Sequence, residues 1–207
     1  MAVDSYSNLK AGITSYMARG TSLDSFRDDF IDRAEAYFNR KMRLTQMEEE
    51  TSLTTDSSGN ATLPSDFLAV RSARWSGTPN VELKPISMGG ENRLSPYDTA
   101  STPPYFYSIS GTTFRVTPIA AGTVTLTYFE KIPALTDSVT TNWLLDLAPD
   151  VYFYRCLAEA YLFIRQFDIA KGFANYADTL IKDLIGLDEL ARYSNAEVIY
   201  DGPVDGG

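Results

Sequence analysis

The chain has 207 residues, with 27 acidic against 18 basic side chains and a net charge of −9; this excludes a binder of nucleic-acid backbones and disfavours attachment to anionic membranes. Its 44% hydrophobic and 13% aromatic content excludes global disorder, and the length suits one domain, or one with a sizeable insertion. With no histidine and a single cysteine, Cys156, an intramolecular disulfide, a Cys/His metal site and a Ser-His-Asp triad are all excluded.

In chain order, residues 4–18 read as a short helix with Leu9, Ile13, Tyr16 and Met17 at helical spacing and Gly20 as its stop. The first six residues hold neither a basic start nor an apolar signal core, so cytoplasmic synthesis without export is the expectation. Ser22 reads as the cap of a longer helix ending between Asn39 and Leu44. Leu23, Phe26, Phe30, Ala34, Tyr37 and Phe38 form its apolar stripe, and Arg27, Asp28, Asp32, Arg33, Glu35 and Arg40 its outer face.

From about Thr45 to Leu135 the texture is that of short strands. Met47–Thr55 and Ala61–Leu63 flank the turn residues Asp56-Ser57-Ser58-Gly59-Asn60 and predict a hairpin. Phe67–Trp75 and Val81–Pro85 follow as strands, and residues 86–97 hold at most one helical turn. Tyr105–Ile109, Thr113–Thr117 and Thr123–Phe129 predict an antiparallel meander turned at Gly111 and Ala121-Gly122. In the last of these, Val124, Leu126 and Tyr128 alternate with threonines, so one face is wet.

The chain then returns to helix. Asn142 or Thr141 caps a short turn presenting Trp143, Leu144 and Leu145, read as the structural anchor of the insertion on the helices. Pro149 opens a helix to about Gln166 that is apolar nearly all round and so demands cover on several sides, some of it from neighbouring subunits. Cys156 lies within it as a buried, inert thiol. Asp168 caps a further helix with Ile169, Phe173, Tyr176, Leu180, Ile181 and Leu184 on its inner stripe. Residues 188–207 hold five carboxylates against Arg192 and read as an extended tail. Within it Val198, Ile199 and Tyr200, with Pro203 and Val204 beyond, suit docking on a portal or neighbouring subunit.

The resulting fold class is α+β: an antiparallel bundle from N- and C-terminal helices, an inserted antiparallel β-rich segment and an extended tail. The boundaries are 1–45, 46–140, 141–187 and 188–207. No stretch reads as chemistry. Glu48-Glu49-Glu50 on a strand points to alternate faces, so a solvated acidic edge outweighs a paired-carboxylate site. Met88-Gly89-Gly90-Glu91-Asn92 lacks the Gly-Lys-Ser/Thr ending of a phosphate loop. Tyr105, Phe106 and Tyr107 have no basic companions for stacking on nucleic acid, which favours sheet packing or a protein interface. No catalytic, cofactor-binding or metal-ligating residue is assigned.

One set of runs, taken in order, carries a resemblance. It comprises Leu63-Pro64-Ser65-Asp66-Phe67, Pro104-Tyr105-Phe106, Thr117-Pro118, Thr127-Tyr128-Phe129-Glu130-Lys131-Ile132-Pro133-Ala134-Leu135 and Thr141-Asn142-Trp143-Leu144-Leu145. From about residue 22 to 187 the chain resembles the phage head-to-tail adaptor, or connector, proteins, similar in role to tail tubular protein A of short-tailed phages. The resemblance implies a structural virion protein that forms a ring of about twelve copies below the portal and extends the DNA channel. Its implied partners are the portal protein, neighbouring copies, tail or nozzle proteins, and DNA that passes without specific binding; no membrane is involved. It implies roles in tail assembly and genome ejection, and a place in the virion neck after assembly in the host cytoplasm. The alternatives are another neck or tail-completion protein of the virion and, further off, a hydrolase with an acidic site.

Overall fold

The computed structural model describes residues 3–19, 22–87 and 103–193. These hold five helices and two four-stranded sheets, a mixed α+β composition. The chain forms two compact units, Met1–Met42 with Ala134–Gly207 and Arg43–Pro133.

In the helical unit, α1 spans Tyr6–Met17 and is capped by Ser5, whose hydroxyl accepts the Asn8 N–H at 3.3 Å. It ends at Ala18, held in the left-handed region at φ 52°, with its N–H on the Thr14 carbonyl. The helix therefore stops before Gly20, which lies outside the described residues. Helix α2 spans Arg27–Lys41, after a 3-10 turn at Asp24–Phe26. The expected cap, Ser22, does not serve: its hydroxyl donates to the Arg19 carbonyl at 3.0 Å, so the helix begins five residues later. Asp28 and Asp29 in the first turn and Arg40 and Lys41 in the last complement the helix dipole.

Helix α3 (Trp143–Leu147), α4 (Pro149–Phe163) and α5 (Phe167–Tyr193) complete this unit. Pro149 stands in the first turn of α4, where its missing N–H costs nothing. Helix α4 packs against α1, α2, α3 and α5. The buried positions of α5 are Ala170, Ala177 and Ile181, whereas Ile169 and Tyr176, expected inward, are exposed. Small side chains let α4 and α5 approach closely, and the larger ones move to the flank. Residues 188–193 are not extended as expected: α5 continues through them, supported by an Arg192–Asp188 pair at 2.8 Å. Val198, Ile199, Tyr200, Pro203 and Val204 lie outside the described residues, as do residues 88–102.

The β unit differs from the expected local pairings. Its strands are β1 (Glu48–Thr55), β2 (Asn60–Thr62), β3 (Phe67–Trp75), β4 (Val81–Glu82), β5 (Lys84–Pro85), β6 (Phe106–Ser110), β7 (Thr113–Thr117) and β8 (Gly122–Glu130). They form one sheet ordered β1-β8-β3-β4 and another ordered β2-β7-β6-β5; the segment is not antiparallel throughout as expected, because β5 reaches β6 over a long connection and pairs with it in parallel. The turn at 56–60 forms as its residues dictate, with Asp56 Oδ1 accepting the N–H groups of Ser58 and Asn60 and Gly59 at φ 74°. It does not close a hairpin: β1 pairs along its length with β8, and β2 pairs with β7. The meander also stops at β7. Pro118 has no N–H for a continued ladder, and Thr55 pins the crossover by donating to the Ala120 carbonyl at 2.8 Å and accepting the Gly122 N–H at 2.9 Å. Strand β8 thus becomes central to the first sheet, burying Val124, Leu126 and Tyr128. These pack with Trp75, Ala73, Phe114 and Val116 in the unit's core.

Glycine at position 122 is required by that core. A Cβ there would sit 2.6 Å from Trp75 Cζ2. Gly122→Ala is expected to destabilise by about 1–3 kcal/mol through overpacking, read as a lower denaturant midpoint; an unchanged midpoint would place Trp75 elsewhere.

Candidate interaction surface

Two features of the helical unit stand out: an apolar flank open to solvent and a polar cluster sealed from it. The flank begins at the N-terminal half of α4. Val3, Asp4, Gly12, Ser15 and Tyr16 face Pro149, Asp150, Phe153 and Tyr154 across a cleft of about 840 Å³. Gly12 lines it and lets Phe153 lie close, since a Cβ there would stand 3.2 Å from the Phe153 ring. From the cleft an aromatic run continues onto α5. Tyr16 meets Phe153 and Phe173 edge-on, each at 5.7 Å between centroids. Tyr154 stacks on Phe173 at 6.0 Å and meets Tyr176 edge-on at 4.8 Å. Tyr16 and Tyr176 are each 50% exposed, and Ile169 46%. Further along, Leu187 and Leu190 are exposed on the same helix, at 64% and 67%. A monomer gains little by leaving such large apolar side chains wet on one helix face, which makes this flank a candidate contact surface.

The polar cluster centres on Glu35. Sequence pattern placed it on the outer face of α2, but it is only 5% exposed. Its Oε1 accepts the Leu135 N–H at 2.9 Å and the Tyr152 O–H at 3.3 Å. Tyr152 in turn accepts from Asn142 Nδ2 at 2.7 Å. Burial pushes the Glu35 carboxyl up to about 7; the bonds from Leu135 and Tyr152 oppose this and the Asp32 charge adds to it. Burial, then the Glu35 charge, raises the Tyr152 phenol as well. The Cys156 thiol is fully buried, and burial holds it well above its ordinary range.

Of the four expected anchor residues, Asn142 caps α3 by accepting the Leu145 N–H at 2.9 Å, and Leu144 and Leu145 are buried. Trp143 is half-buried, with its indole N–H sealed from solvent and without a hydrogen-bond partner among the described residues. Glu48, Glu49 and Glu50 lie on β1, successively half-buried, exposed and exposed, with Glu48 against Arg71 at 3.3 Å. Among the described residues no three histidine, cysteine or acidic side chains gather in a metal-binding arrangement. No helix there is long and apolar enough to cross a membrane. The arrangement offers packing surface and a structural polar hub.

Among known proteins, the model of the SU10 adaptor protein family matches residues 4–200. The match reaches beyond the 22–187 stretch that carried the resemblance, and it takes in Val198, Ile199 and Tyr200 but not Pro203 or Val204. No curated protein matches the chain.

Proposed function

The chain belongs to the SU10 adaptor protein family, the structural adaptors of phage, and from that premise we propose that it forms a ring below the portal and extends the DNA channel through the virion neck. The observation that carries this reading is the exposed apolar flank of Tyr16, Ile169 and Tyr176 on a helical unit that also matches the family. A head-to-tail contact in which that flank meets a neighbouring copy closes into a ring, of about twelve subunits in this family's manner. Asn142, Trp143, Leu144 and Leu145 anchor the chain's return into the helical unit. The net charge of −9 suits a channel wall that repels phosphates and lets DNA slide. The same charge opposes self-association, so the purified protein is monomeric and the portal templates the ring. Tail or nozzle proteins are the partners on the far side, and assembly takes place in the host cytoplasm.

Val198, Ile199, Tyr200, Pro203 and Val204 are proposed to dock on the portal or on a neighbouring subunit. Deleting residues 194–207 is expected to leave melting nearly unchanged and to abolish or greatly weaken attachment to portal-bearing heads. Attachment of the truncated protein with parental affinity would move the contact wholly onto the helices.

A further inference from the structure

Where the chain returns to the helical unit after Pro133, it is held at two points by one connected set of side chains. Glu35 of α2 takes the Leu135 N–H, and through the Tyr152 hydroxyl of α4 it is joined to Asn142, the cap of α3. The segment between those points makes its own turn, with the Thr136 N–H on the Val139 carbonyl at 2.9 Å. It touches α1 through the Tyr6 N–H on the Thr140 carbonyl at 2.7 Å and through Lys10 on Asp137 at 3.3 Å.

Among the described residues, the charged and titratable groups around this hub leave Glu35 without a compensating cation. On α2 the charge it feels is that of Asp32, of its own sign. Helix α4 presents the neutral Tyr152 and Cys156, while its Arg155 and Glu159 pair with each other. On α1, Tyr6 is engaged by Asp28, and Lys10 by Asp28 and Asp137. The return segment offers an amide N–H and the Asn142 carboxamide. A buried carboxylate with two donors and no counter-ion is held at a cost that water would relieve.

We infer that Glu35 is a proton-sensitive latch, whose loss of a proton makes residues 134–142 detach from α2 and α4 more readily. Detachment lets water reach the carboxylate and frees the Leu135 N–H. The Leu135 bond itself opposes release, which is why the latch stays shut for most of the time at any pH. The carboxyl has a raised pKa when the segment is closed and an ordinary one when it is open. Closure is therefore strongest below the ordinary glutamate value of 4.5 and weakens as pH climbs to about 7, above which it levels.

Amide hydrogen exchange tests this in the intact chain, with rates divided by the intrinsic chemical rate at each pH. Protection of the Leu135 N–H is expected to fall up to about tenfold per pH unit between the two values and then to level. The Cys156 N–H, deep in α4, is expected to change much less. In Glu35→Gln, whose carboxamide oxygen still accepts the Leu135 N–H, the pH dependence at Leu135 disappears. Should that variant fail to fold, Tyr152→Phe keeps the carboxylate but removes one donor to it, and the level region moves to higher pH. Protection at Leu135 that is flat with pH in the parent overturns the latch. So does an equal fall at Leu135 and Cys156, which would be global unfolding, an unaltered slope in Glu35→Gln, or an unmoved level region in Tyr152→Phe.

Discussion

Tyr152→Ala is expected to cost about 5 kcal/mol or more. The ring is fully buried and meets Phe38 edge-on at 5.0 Å. Its removal alone carries the cavity cost of an aromatic truncation, about 3–5 kcal/mol. The hydroxyl is also the joint between Asn142 and Glu35. Without it a buried carboxamide N–H and a buried carboxylate each lose a partner, at about 1–3 kcal/mol apiece. A sum of that size rivals the stability of a typical domain, about 5–15 kcal/mol, so the variant is expected to be largely unfolded in the helical unit. Tyr152→Phe keeps the ring and loses only the joint, with both of its partners, about 2–6 kcal/mol. Denaturant unfolding of the pair separates the two parts. Equal midpoints for both variants would mean that the ring contributes no packing and that the site lies at the surface.

The second large effect concerns assembly and leaves the fold untouched. Ile169 and Tyr176 are half-exposed on α5, two turns apart on its outward flank, and Tyr176 continues the aromatic run from Tyr154. If a neighbouring copy covers this flank, each is a desolvated anchor. Placing a carboxylate there forces an unpaired charge into the contact, at about 2 kcal/mol or more for each position. The double variant Ile169→Glu, Tyr176→Glu is thus expected to weaken each subunit contact by about a thousandfold. Its melting temperature stays near the parent's, because neither side chain is part of the buried core. A double variant that assembles on portal as the parent does would place the ring contact on another face.

The sequence revealed most where one local preference decided the outcome. Pro149 marks the start of α4, Asn142 caps α3, and the threonine alternation of β8 marks its wet face, because each rests on the chemistry of one or two residues. It revealed less where a distant partner decided. Asp56 and Gly59 do make their turn, but whether the strands on either side then pair depends on β7 and β8, more than fifty residues away. On α5 hydrophobic size tracks burial only in part: Ile181 of the expected stripe is buried, but Ile169 and Tyr176 are exposed. Close approach to α4 instead selects Ala170 and Ala177. The burial of Glu35 has a trace in the sequence: it follows Ile31 by four residues and precedes Phe38 by three, and both are fully buried. A carboxylate on that row needs donors from outside its own helix, and no pattern within α2 points to Leu135 or Tyr152.

The claim that this chain closes a ring on the portal is tested most directly by electron cryo-microscopy of purified portal mixed with the full-length protein. The account predicts a closed ring of about twelve copies coaxial with the portal channel, the apolar flank of each α5 covered by the next copy, and no such ring when portal is left out. Portal that stays bare at saturating protein, or rings that form equally well without it, would contradict the account.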